Sequence, residues 1–234
     1  MNEYEIFKHF LSTPRIERYL FARDFDEELC VKLYKSNINI SKSFHPVLGI
    51  FEVVLRNEID KVLQLYFNDD NWIINQQYGF MIAPALSYFD PYFGKITHNR
   101  FIFNSVEMSK IKILKKSTNI NSNRVLAEQS LSFWTELFEK KYYKLLKGRP
   151  IQIFKNLPKN ISRVDILNQL TKIRKFRNRI YHNEPICFKG NEVDLQTPLN
   201  IYISILNLMN WINPDTHTLL KGVDEVYDSI YKIY

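Results

Sequence analysis

Residues 44–66 read Phe44-His45-Pro46-Val47-Leu48-Gly49-Ile50-Phe51-Glu52-Val53-Val54-Leu55-Arg56-Asn57-Glu58-Ile59-Asp60-Lys61-Val62-Leu63-Gln64-Leu65-Tyr66. Phe44, Val47, Leu48, Phe51, Val54, Leu55, Ile59, Val62 and Tyr66 recur at intervals of three and four, which gathers them on one buried face of a helix. Pro46 falls near the expected start, where its missing N–H costs little. Such a stripe must be buried against another element, and with the mostly helical pattern around it the stretch points to an all-α protein.

Reading outward, the pattern stays mostly helical. Residues 3–11 and 15–23 form short amphipathic segments separated by Ser12-Thr13-Pro14, where Thr13 can cap and Pro14 can open a helix. A third segment runs from 26 to 35. Residues 68–103 break the period at Asn68-Asp69-Asp70-Asn71, Pro84, Pro91 and Gly94, and read as a loop with short helices. Helical spacing returns at 104–117 and 124–146 and stops at Gly148-Arg149-Pro150. Ser162-x-x-Asp165 then opens a helix carrying Ile166, Leu170, Ile173, Phe176 and Ile180. Residues 186–197 are expected as a loop or short hairpin, and 200–212 and 215–234 as closing helices. Trp72 and Trp211 are expected to anchor the core. The organisation expected is a single domain over 1–234, a helical bundle with a long N-terminal helix, in which 73–123 is a divergent insertion or a loop-rich segment.

Composition narrows the function classes. The chain has 234 residues, 45% apolar and 24% charged, which suits an ordinary folded protein and excludes disorder. Only 6 Gly and 9 Pro argue against an all-β sandwich. No uninterrupted apolar run approaches the roughly 18 residues of a membrane span, and no membrane partner is expected. The acidic start Met1-Asn2-Glu3-Tyr4-Glu5 is unlike a secretory signal, and Cys30 and Cys187 form neither a disulfide framework nor a zinc spacing. A cytoplasmic protein is the expectation.

The charge is concentrated. Lys140 to Arg179 holds thirteen basic residues against Asp165 alone, while the whole chain is only +7. Such a block attracts polyanions through counterion release, and Tyr142, Tyr143, Phe154 and Phe176 lie within it as candidate base-stacking rings. A solvated helix face is the alternative reading of the same run. The six glycines never cluster into a phosphate loop, and there is no H-E-x-x-H or G-x-S-x-G. His9, His45 and His217 read as ordinary surface or packed imidazoles.

His182 stands apart because of Phe176-Arg177-Asn178-Arg179-Ile180-Tyr181-His182-Asn183-Glu184-Pro185. Asn178 and His182 are four apart and share a helix face, with Arg177 about 100° to the side. Histidine exchanges a proton near neutral pH, arginine neutralises a phosphate, and asparagine can orient either. The set suits cleavage of RNA without metal or other cofactor, in which a 2′-hydroxyl attacks its own phosphate. A basic helix end closing on a histidine is the plain alternative.

Arg177-Asn178-Arg179-Ile180-Tyr181-His182-Asn183-Glu184-Pro185 resembles the R-N-R-I-x-H-x-E-P signature of the Abi-like (abortive-infection) family, within the HEPN class of helical domains bearing an R-x(4–6)-H ribonuclease motif. Leu11 to Leu20, Leu33 to Asn37 and Phe51 to Asp60 look like further parts of that family, with a weaker match at 128–138. The resemblance implies an all-α HEPN fold, a homodimer whose two motifs meet in one cleft, and endoribonuclease activity of a phage-defence or toxin type. It gives Arg177 and His182 catalytic roles, with Asn178 as the polar residue after the arginine. RNA is the implied substrate, with Lys172, Arg174, Lys175 and Arg179 as RNA-binding cations and an antitoxin protein or inhibitory non-coding RNA as a further partner. Some HEPN toxins carry a modified tyrosine where Glu184 stands, so that mode of control is not implied. Glu52 and Arg56, four apart on the long helix, read either as residues behind Arg177 and the cleft or as an internal ion pair. A non-catalytic module that holds RNA or a partner is the rival function, and a scaffold without RNA affinity is the third.

Overall fold

In the computed structural model, which describes residues 1–116 and 119–232, the repeat of residues 44–66 is the C-terminal part of one continuous helix, α3 (Glu27–Phe67). The separate segment expected at 26–35 is its N-terminal part, and Pro46 lies well inside the helix rather than near its start. An interior proline forfeits one backbone bond and costs about 3 kcal/mol. Phe44, Val47 and Leu48 flank it and are buried, each contributing about 1.5–3 kcal/mol, so packing holds the helix through the proline. By length and mean hydropathy (1.2 over 18 residues) α3 is apolar enough to cross a membrane. Its apolar stripe Ile40, Phe44, Val47, Phe51, Leu55, Ile59 and Leu63 is fully buried in the protein core.

The structure is 67% helix and 5% strand. Before α3 come α1 (Glu3–Leu11) and α2 (Thr13–Phe21). After it come α4 (Trp72–Asn75), a hairpin of β1 (Ser87–Asp90) and β2 (Lys95–His98), α5 (Phe101–Leu114), α6 (Ser122–Ala127), α7 (Leu131–Glu136) and α8 (Lys140–Leu145). The chain continues through α9 (Arg163–Tyr181), a hairpin of β3 (Phe188–Lys189) and β4 (Glu192–Val193), α10 (Gln196–Ile212) and α11 (Val226–Tyr231). Both hairpins are antiparallel, with Phe89 opposite Ile96 in the first and Phe188 opposite Val193 in the second.

Two compact units result. The first holds Met1–Phe51, Lys175–Met209 and the described residues from Asp215 onward; the second holds Glu52–Arg174 and Asn210–Pro214. In the first unit, Tyr4, Ile16, Tyr19, Cys30, Val31, Leu33 and Tyr34 bury themselves with Cys187 and Phe188. The Tyr19 ring meets Tyr34 and Phe188 edge-on, each at 5.1 Å, and Phe44 meets Phe176 at 4.8 Å. In the second unit, Trp72 is buried and its indole N–H donates to Asp60 Oδ1 at 2.8 Å. Trp211 is only half-buried there, whereas Trp134, on the three-and-four spacing of the 124–146 segment, is fully buried.

Three further expectations need correction. The helix expected at 124–146 is α6, α7 and α8, because Gln129 is buried and its amide donates to Val125 O and Ser109 Oγ, ending the first turn sequence. The segment 73–123 contains most of α4, the β1–β2 hairpin, α5 and the start of α6 rather than mainly loop. The closing segment after Asp215 is a 3₁₀ turn (Pro214–Leu220) followed by the short α11. Residue 117 of the expected 104–117 helix, and residues 233–234 of the last, lie outside the described residues.

Candidate active site

The site is built on the C-terminal end of α9. Ser162 and Asp165 start that helix with reciprocal bonds: the Ser162 N–H donates to Asp165 Oδ2 at 2.8 Å, and the Asp165 N–H reaches Ser162 Oγ at 3.4 Å. The Ser162 hydroxyl, donating to Asp165 Oδ2 at 2.6 Å, and then the Ser162 N–H hold the Asp165 carboxyl below its ordinary value. Ile166, Leu170, Ile173, Phe176 and Ile180 bury the opposite stripe, so Lys172, Lys175 and Asn178 are exposed by default.

The end of α9 is set by Asn183, which takes a left-handed φ of 53°. Its N–H donates to Ile180 O at 3.0 Å, and the Glu184 N–H donates to Arg179 O at 2.8 Å. Together these make a Schellman cap, with Pro185 following where the helix cannot continue. The last regular bond is His182 N–H to Asn178 O at 2.9 Å. Thus His182-Asn183-Glu184-Pro185 is a helix stop as well as a chemical motif.

Two arginines brace the stop. Arg15, from α2, donates to the Asn183 carbonyl, and Arg179 donates to the Pro185 carbonyl while its Nε lies 3.6 Å from Glu184 Oε2. Past the cap, the chain is tied to α3 by Asn37, whose buried Oδ1 accepts from Ile186 N–H at 2.8 Å and Cys187 N–H at 3.3 Å. Burial pushes the Cys187 thiol up to about 12 and the Cys30 thiol up to about 11, so both remain protonated at neutral pH.

On this platform Arg177, Asn178 and His182 come together on one helix end. The Arg177 guanidinium lies 4.0 Å from the centre of the Tyr181 ring, and its Nη1 is 3.5 Å from Asn178 Oδ1. Asn178 and His182 are exposed and Arg177 is half-buried. His45, expected as an ordinary surface or packed imidazole, lies beside the cluster with its ring 5.3 Å from Tyr181. The i, i+4 spacing of Arg177 and Tyr181 was the available signal for the stacked pair. A groove of about 510 Å3 also opens in the first unit, lined among others by Arg15, Lys42, His45 and Asn183.

The remaining candidates are dispersed. Lys172 and Lys175 are exposed on α9, and Arg174 is half-buried where its charge acts on Glu136. Arg179 is engaged in the cap. Glu52 and Arg56 lie one turn apart on the part of α3 in the second unit, where the Arg56 Nε donates to Asn57 Oδ1 at 3.2 Å. Of the rings expected to stack on bases, Tyr142, Phe154 and Phe176 are buried and packed, because each occupies the apolar stripe of its segment; only Tyr143 reaches the surface in part. Among the described residues no group of three or more His, Cys, Asp or Glu side chains is arranged to hold a metal ion. No family model, curated protein or solved structure matches the chain.

Proposed function

We propose that the protein is a metal-independent endoribonuclease of the phage-defence or toxin type, cutting RNA by transesterification with the Arg177–His182 pair. The observation that carries the reading is the capped end of α9, where half-buried Arg177, stacked on Tyr181 and 3.5 Å from Asn178 Oδ1, lies within one and a half helical turns of exposed Asn178 and His182. His182 takes the proton from a ribose 2′-hydroxyl, whose oxygen attacks the adjacent phosphorus. The 5′-oxygen leaves and takes a proton from the His182 imidazolium, which restores the neutral imidazole and gives a 2′,3′-cyclic phosphate and a 5′-hydroxyl end. Arg177 meets the negative charge that builds on the phosphorane oxygens, with stacking on Tyr181 holding its plane. Asn178 orients the guanidinium or a phosphate oxygen.

The resemblance to Abi-like HEPN domains supports a homodimer in which a second copy brings its own arginine and histidine, acting in the cytoplasm and held inactive by a protein or RNA inhibitor. Incubation of purified protein with total RNA in EDTA tests the chemistry. The wild type should yield cyclic-phosphate ends, and Arg177→Ala/His182→Ala should lose at least 10²-fold in rate, the usual contribution of a general acid or base. Cleavage at the wild-type rate by the double variant would sink the mechanism. Salt-sensitive RNA binding without product would instead assign the chain to the non-catalytic binding modules.

A further inference from the structure

The second unit exposes aromatic rings on the β1–β2 hairpin rather than within the basic run. Phe89, Tyr92, Phe93 and Ile96 are 64%, 87%, 64% and 70% exposed, and Tyr88 is 44% exposed. Asp90 shapes the tip by accepting from the Tyr92 and Phe93 N–H groups at 2.9 and 3.3 Å, and Gly94 completes it with a φ of 59°. Phe89 and Ile96 are cross-strand partners, so their side chains share one face. A soluble surface seldom spends so many large rings on one short hairpin without a partner.

Cations are interleaved with these rings. The Lys95 ammonium lies 5.4 Å from the Phe93 ring centre, and the Lys141 ammonium lies 5.2 Å from that of Tyr88. Lys141 also donates to Ser87 O at 2.8 Å, which fastens the hairpin to α8. Lys140 and Lys144, both exposed, adjoin Lys141 on that helix. We infer that the β1–β2 hairpin and the α8 lysines form a platform for single-stranded RNA, bases stacking on Tyr92 and Phe93 and phosphates running along Lys95, Lys141 and Lys144. The inference rests on RNA being the partner of the proposed function and specifies which form of it is bound. Bases in a duplex are already stacked on each other and cannot lie on the rings, whereas the faces of an unpaired strand are open. The charge is complementary to phosphate, and the paired rings at the tip, 4.9 Å apart and edge-on, offer two differently oriented faces.

The test uses the full chain and a fluorescein-labelled 2′-O-methyl oligouridine of about 12 nucleotides, which has no free 2′-hydroxyl to be cleaved. Fluorescence anisotropy should show binding of the single strand, with weaker binding once it is paired to its complement. Tyr92→Ala/Phe93→Ala should lower single-strand affinity about 5- to 150-fold for each base that loses its ring, with the salt dependence kept. Lys95→Ala/Lys144→Ala should reduce the slope of log affinity against log salt by about 1.4. Both pairs are exposed, so thermal melting should match the parent. The platform is overturned if the Tyr92/Phe93 variant binds the strand within twofold of the parent. It is also overturned if that variant instead abolishes pelleting with phosphatidylserine vesicles, or splits a dimer in sedimentation, while strand binding persists. Retained cleavage by Arg177→Ala/His182→Ala would refute the catalytic reading and leave this result untouched.

Discussion

Asn37 should be among the least replaceable polar residues of the first unit. It is 5% exposed on α3, and its Oδ1 satisfies two backbone donors from a segment far away in sequence, Ile186 N–H at 2.8 Å and Cys187 N–H at 3.3 Å. Asn37→Leu keeps a branched side chain of similar shape and removes the acceptor. A buried amide left unpaired costs about 1–3 kcal/mol, and the longer of the two bonds belongs at the low end, so the loss is about 2–4 kcal/mol. Extra apolar burial by leucine returns about 1 kcal/mol, leaving a net destabilisation of about 1–3 kcal/mol. With a urea slope of about 2.5 kcal/mol/M, the unfolding midpoint should fall by about 0.4–1.2 M at constant slope. Hydrogen exchange should report the same loss locally, the amides of Ile186 and Cys187 losing about 5- to 150-fold in protection. Asn39→Leu, two residues away and exposed, should stay within about 0.5 kcal/mol of wild type. If Asn37→Leu shifts stability by no more than that control, the two bonds do not anchor the segment behind His182 and the account of the cap is wrong.

Two further outcomes follow from the same reasoning. Asn183, at φ 53°, should tolerate glycine, whereas Asn183→Val should cost about 1–2 kcal/mol in urea unfolding, since a β-branched residue resists the left-handed region; equal stability of the two variants would contradict the cap. Glu136 is half-buried, and burial raises its carboxyl above the ordinary 4.5, although Asn99 Nδ2 donates to its Oε1 at 3.0 Å. The folded state therefore favours the protonated form, and ionisation weakens folding as pH climbs from 4.5 through the raised value. Glu136→Gln should match the wild type below that window and exceed it at pH 7, and a wild type that remains at least as stable at pH 7 would reverse the sign.

The long helix and the motif are legible in the sequence because both are local. The three-and-four spacing of Phe44 to Ile59 reports one buried face whatever packs on it, and the Ser162–Asp165 start and the stop before Pro185 follow from backbone groups within a few residues. Periodicity failed where a distant partner decided the outcome. Pro46 suggested a boundary, yet packing of Phe44, Val47 and Leu48 carries α3 across it. The 124–146 pattern looked continuous, yet buried Gln129 bonds to Ser109 and breaks it.

The functional surface divides in the same way. Sequence by itself determined that Arg177, Asn178 and His182 share the end of one helix, because helical geometry places residues i, i+1 and i+5 within one and a half turns. Only the tertiary structure decided which neighbours act on that end: Arg15 and Asn37 reach it from elements more than a hundred residues away, and His45 meets Tyr181 across a helix contact. It also decided which rings are available to a partner, since composition counts Tyr142, Phe154 and Phe176 equally with Tyr92 and Phe93. Burial separates them, because a side chain is exposed or enclosed according to what packs over it, and that is a property of the whole fold.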